Sequence, residues 1–378
     1  MQKKSWMLLA LCMPFTVLAN PSGPLRLPLA AKDLMPRAIE FSANGAQACL
    51  AASSVGADSG RTRGGIVLID RAANKVVWEK SLPAPDGYAD IFPVQCVFSG
   101  DAVYLLANVN TKSQQSLNQS LAYVYRFDVA GKQTGYVRLA PGGREQYGYA
   151  IGAAPNGVTV AGYTKDEDSE NEYYAVFTQA LDAALKPATA SVRKTGAFDP
   201  GAAARFVGDS LYIGGNFSPA KLPKNDLADD YAAARLKLAG GYLWSVRPQP
   251  AKQRENRSAV GADGAVYALG YVKGTSTLAT VGADGKAGPP VSYASKYCET
   301  AALAPYGGAL LAVREMCRGQ GKESALLRID PAARQEQVLS WFPEAPVYVA
   351  ASGAAWAAVA RDSGGKLVFY SGSTQGER

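Results

Sequence analysis

The chain contains no histidine. Histidine is the most versatile general base near neutral pH and the commonest side-chain ligand of transition metals. Ser–His and Cys–His nucleophilic pairs and His-ligated zinc sites are therefore excluded within these 378 residues. Cysteine is sparse: Cys12, Cys49, Cys96, Cys298 and Cys317 lie too far apart for the paired spacing of a zinc–thiolate site. Neither a sialidase-type Asp box nor a GxSxG nucleophile elbow occurs. No apolar run reaches the roughly 20 residues that cross a bilayer as a helix. Helical periodicity is almost absent; "LDAALK", residues 181–186, has a helical composition but aligns with turns in the repeats described below. The net charge is +7, with acids and bases intermixed and no basic block or basic–aromatic motif. A nucleic-acid partner is therefore not expected.

The amino terminus reads as an export signal. "MQKK" is a basic start, "SWMLLALCMPFTVLA" an uncharged apolar segment, and Val17 and Ala19 are the small residues expected at −3 and −1 of a cleavage site. Residues 1–19 are thus expected to be removed. Residues 20–378 are expected to form one domain, periplasmic or secreted, with no inserted membrane segment.

A repeat organises the rest. Cys49, Tyr104, Thr159, Tyr212, Tyr267, Leu310 and Trp356 fall in one column, 43 to 55 residues apart, each just after a Gly-containing turn such as Asn44-Gly45, Ser99-Gly100 or Gly307-Gly308. Such turns between apolar runs mark β-hairpins, because their central residues need positive φ. Two more strands follow in most repeats, for example "GGIVLID" then "VVWEKSL". Periods of this length signal a solenoid or propeller. Seven four-stranded antiparallel meanders predict an all-β, seven-bladed β-propeller. The last repeat lacks a fourth strand, and the segment 24–30, "PLRLPLA", is expected to supply it and close the ring. Trp78, Trp244 and Trp341 are expected to pack between outer strands.

The segments "NGVTVAGYTKD…YYAVFTQALDA", "DSLYIGGNF…DDYAAARLKLAGGYLWS" and "DGAVYALGYVKG…STLATVGADGKA" resemble the SBBP-type β-propeller repeat of exported bacterial proteins. In blade one, "VLIDRAANKVVWEKSL" resembles the quinoprotein-like repeat of periplasmic propellers. The resemblance implies the fold and an envelope or extracellular setting, and no particular reaction.

Two disulfides are expected in an exported chain with four remaining cysteines. Cys298 and Cys317 flank the Gly307-Gly308 hairpin symmetrically and should meet across its open end. Cys49 and Cys96 would then staple blades one and two.

Loop length varies most between the second and third strands of each blade, so that face is the expected functional one. Its most acidic stretch, "KDEDSENEYY", places Asp166, Asp168 and Glu170 in alternation like the start of a calcium loop. Asn171 and Phe177 stand where that pattern needs Gly and Glu, so any calcium site would be weak and no cofactor is otherwise expected. A second acidic loop carries Asp226, Asp229 and Asp230, and the two could share an ion if adjacent loops meet. The entries to the inner strands could line a central funnel; the candidates are Arg37, Tyr88, Asp90, Arg144, Tyr147, Glu255, Arg257, Glu299 and Glu344. The leading expectation is a non-enzymatic binding or scaffold propeller holding a protein or glycan partner. The alternative is a hydrolase or lyase using paired funnel carboxylates.

Overall fold

A computed structural model describes residues 22–27, 35–55, 61–111, 120–199, 201–223, 231–237, 242–246, 257–317, 324–342, 346–353, 355–362, 364 and 366–373. The segment expected to be an export signal, Glu255, Glu344 and the acidic loop with Asp226, Asp229 and Asp230 lie outside these residues, as do the side chains of Glu299 and Trp244.

The strands form seven antiparallel sheets in chain order, a seven-bladed β-propeller. The inner strands are Met35–Phe41, Tyr88–Ser99, Glu145–Ala154, Ala203–Val207, Arg257–Val260, Tyr297–Tyr306 and Pro346–Ser352. Each is joined to its second strand by one of the predicted turns. Every one of those seven turns carries a glycine with positive φ, from 51° at Gly307 to 145° at Gly157, where a side chain would strain the backbone.

Both faces of a blade are buried, and the two-residue period of a strand assigns them to different neighbours. In Gln47–Val55, Cys49 and Ala51 point into a cluster shared with blade two, whereas Ala48, Leu50 and Ala52 join one shared with blade seven. An apolar cluster of this kind lies between every pair of neighbouring blades. Among the described residues most of the core is the set of these interfaces, which exist only in the ring; a small cluster of Tyr297, Ala325 and Leu327 lies within blade six.

The amino-terminal strand Ser22–Arg26 closes that ring. It pairs antiparallel with Leu367–Ser373, Leu25 opposite Phe369, and the Leu27 N–H extends the ladder to the Leu367 carbonyl at 2.9 Å. Leu27 is 1% exposed, packed between blades seven and one. We expect Leu27→Ala to lower stability by about 2–3 kcal/mol, the low part of the range for buried leucine truncations because a terminal strand can shift to fill the void. Urea unfolding monitored by tryptophan fluorescence measures it, and an unchanged midpoint would show that closure contributes nothing.

Both disulfides form. Cys49–Cys96 joins blades one and two, and Cys298–Cys317 joins the first two strands of blade six at the open end of the hairpin. Trp78 packs as expected, against Phe127 at 5.8 Å with its indole N–H donating to the Val129 carbonyl of blade two at 3.0 Å. Trp341 does not: it is 45% exposed. It sits near the end of the outermost strand of blade six, with Lys296 above its ring at 5.7 Å. The rim of the ring has no next blade to cover that face.

Candidate functional site

The inner strands surround a central cavity of about 1160 Å³. Five of them carry a β-bulge at a similar depth that adds one unpaired residue, Arg37, Val94, Tyr149, Ala301 or Val347, and blades two and six carry a second one nearer the strand start, at Ala89 and Cys298. The bulge lies five residues before the end of the inner strand in blades two, three, six and seven, and four before it in blade one. A bulge re-aims the side chain it carries. At Arg37 it turns a guanidinium to the cavity wall. At Tyr149 it aims the ring toward blade four, where the hydroxyl donates to the Phe198 carbonyl at 2.7 Å and accepts its N–H at 2.9 Å.

Three arginines and two half-buried carboxyls, Glu40 and Asp199, make up the charge of the cavity wall among the described residues. Arg37 of blade one donates through Nε to Ser53 Oγ at 3.0 Å, and Arg257 of blade five donates through Nε to the Thr300 carbonyl at 3.0 Å. Arg205 lines the wall from blade four. Among the described residues none of the three has a carboxylate within ion-pair distance. Burial lowers the Arg37 pKa from its ordinary value. Arg37 and Arg257 are nevertheless solvent-exposed, as side chains in an open channel are.

Glu40 lies deeper. Burial raises its carboxyl pKa, and the Arg205 charge and the Gln95 amide offset the shift only in part. Tyr348 beside it is pushed up to about 12, first by burial and then by the Glu40 charge. Gln95 is held by the Ile151 N–H, which donates to its Oε1 at 3.1 Å. Because the folded-state pKa of Glu40 is raised, the unfolded chain gives up this proton first as pH rises. Stability is therefore lost as pH climbs from the usual carboxylate range to the raised folded pKa. We expect Glu40→Gln to be more stable than wild type at pH 7, with the two converging at pH 4 and below. Unfolding midpoints across that range test the sign; a variant less stable than wild type at pH 7 would contradict it.

The residues predicted for the funnel divide. Arg37, Tyr147 and Arg257 line the cavity. Tyr88 instead packs edge-on against Tyr123 at 5.8 Å, and Asp90 accepts the Thr62 N–H at 2.5 Å, joining blades one and two. Arg144 turns outward to Glu167 at 2.7 Å. Glu40, Arg205 and Tyr348 were not anticipated. The available signal was a lone charge inside a short inner strand, as in "AIEF" and "AARFV".

The acidic stretch forms the tip of the long hairpin Gly157–Glu167 and Asn171–Asp182. Its charges are sorted locally. Asp166 accepts the Arg144 N–H at 2.8 Å, and Lys165 pairs with Glu172 at 2.7 Å. Asp168 accepts the Tyr173 hydroxyl at 2.7 Å and the N–H groups of Glu170 and Asn171; these bonds, the Tyr173 one foremost, hold its carboxyl down to about 2. The neighbouring loop does meet this tip, but by strand pairing: Lys221–Pro223 of blade four aligns with residues 171–173, Tyr173 opposite Lys221. Among the described residues no three Asp, Glu or Cys side chains gather as a metal-holding group.

No protein-family model matches the chain, and no curated protein matches it. Solved structures do. The acylaminoacyl peptidase of Pyrococcus horikoshii aligns over 92% of this chain and 50% of that chain, at 10% identity and a TM-score of 0.49. Sqt1 of Saccharomyces cerevisiae aligns over 87% of this chain and 81% of that chain, at 10% identity and a TM-score of 0.45. The polysaccharide lyase Uly1 aligns over 92% of this chain and 91% of that chain, at 9% identity and a TM-score of 0.50. The chain spans about half the length of the acylaminoacyl peptidases it matches. At these identities the likeness is one of fold.

Proposed function

We propose that this chain is an exported, non-enzymatic binding propeller that receives a protein or glycan partner at the loop-rich end of its funnel. One observation carries the reading: Arg37 and Arg257 stand at the cavity wall, and among the described residues each is held by a single internal hydrogen bond and neither is in an ion pair. A cation in a walled cavity attracts an entering anionic or polar group more strongly than one on an open surface. Two disulfides fit an oxidising compartment, and the SBBP-like repeats agree with export.

A hydrolase or lyase is the second reading, favoured by Glu40. A carboxyl whose pKa is raised by burial is shifted in the direction a general acid needs. Glycan and peptide arrays probed with wild type and with Arg37→Ala/Arg257→Ala test the first reading. Binding abolished in the double variant supports it; binding that survives moves the function off the funnel. Turnover of a bound compound, lost in Glu40→Gln, would establish the second.

At the blade-three tip, calcium below millimolar concentration is expected to leave the thermal midpoint unchanged. A micromolar response lost on replacing Asp166, Asp168 and Glu170 together would assign an ion site there.

A further inference from the structure

We infer that the ligand of the funnel is an acidic saccharide whose ring carboxylates are received by Arg37 and Arg257, one at each side of the channel. The inference rests on the binding reading above and names the chemistry of its ligand.

Both guanidiniums are anchored through Nε, to Ser53 Oγ and to the Thr300 carbonyl. That anchoring fixes the plane of each fork and leaves its two terminal nitrogens without a protein partner among the described residues. The one edge left free, formed by the two terminal nitrogens, matches a carboxylate bidentately. The two arginines come from blades one and five, on different sides of the channel, so a ligand between them meets cations from two directions.

The rest of the wall favours a sugar over a peptide. Exposed Asn216 and half-buried Asn110 bring amides that donate and accept, as sugar hydroxyls require. Tyr147, stacked on Tyr163 at 4.9 Å, places an aromatic ring at the same wall. Glu40, half-buried, has no ion-pair partner among the described residues and lies near Gln95, Tyr348 and the Arg205 charge. Burial raises its pKa there, which lessens its repulsion of the ligand's own charge. The cavity, about 1160 Å³, is larger than a single sugar ring needs.

Isothermal titration calorimetry of the purified chain with tri-galacturonate, its methyl ester and tri-glutamate tests the inference. Tri-galacturonate is expected to bind, and the ester, which keeps every hydroxyl and loses the charge, to bind at least about tenfold more weakly. Arg37→Met and Arg257→Met, which keep side-chain bulk, should each weaken tri-galacturonate by about tenfold while leaving the ester unchanged; circular dichroism checks that both fold. Equal affinity for acid and ester overturns the inference, and so does tri-glutamate binding as tightly as tri-galacturonate. So does no binding of tri-galacturonate. If neutral glycans then bind and lose affinity in the double alanine variant, the binding reading stands and the carboxylate assignment alone falls. If no glycan or peptide binds, both fall.

Discussion

Arg314→Met is expected to destabilise the protein by about 3–5 kcal/mol, read as a lower urea midpoint. Arg314 is fully buried between blades five and six. It pairs with Glu336, donates to Ser276 Oγ at 2.8 Å and Ser295 Oγ at 3.1 Å, and donates to the Tyr297 carbonyl at 2.7 Å. Removing the guanidinium leaves the Glu336 carboxylate largely buried without its counter-charge, and takes one donor each from Ser276 Oγ, Ser295 Oγ and the Tyr297 carbonyl. The double variant Arg314→Met/Glu336→Leu should recover most of the loss, because replacing a buried pair by apolar groups is often close to neutral. A single variant within about 1 kcal/mol of wild type would mean that water reaches this network and the pair is not desolvated.

Loss of the Cys49–Cys96 bridge should cost about 4 kcal/mol on the chain-entropy model, given its sequence separation of 47. The Cys298–Cys317 bridge spans only 19 and should cost less, about 3 kcal/mol. Geometry adds to this order. Cys49–Cys96 crosses an interface between blades, whereas Cys298–Cys317 lies within one hairpin already held by its ladder. Urea unfolding of the two double alanine variants, with and without dithiothreitol, separates the cases. Each variant should approach wild type once wild type is reduced. Equal losses for the two, or a wild type indifferent to reductant, would contradict the ranking.

The funnel was half legible in the sequence. Arg37, Tyr147 and Arg257 could be placed because they start inner strands, and the repeat fixes where those strands start. Tyr88 and Asp90 occupy equivalent positions yet serve the interface with blade one. The difference is a bulge at Ala89, which changes the face each residue presents. Bulges leave no reliable mark in a strand's apolar pattern, so a one-residue shift in facing could not be read. Trp341 failed for a related reason: periodicity tells that a side chain lies on one face, not whether another blade covers that face.

What the sequence determined by itself is local and periodic. Seven glycine turns set seven hairpins, alternating apolar residues set two buried faces per blade, and Cys298 and Cys317 were matched by symmetry about one turn. The spare strand at the amino terminus followed from a missing fourth strand in the last repeat. Only the tertiary structure decided which charges share the axis. Glu40 and Arg205 belong to blades one and four and become neighbours because the ring closes, not because anything near either residue specifies the other. Strand pairing and interblade packing act between adjacent segments, so they are written as short repeats. The electrostatics of the channel sums over all seven inner strands at once, and that sum exists only after closure.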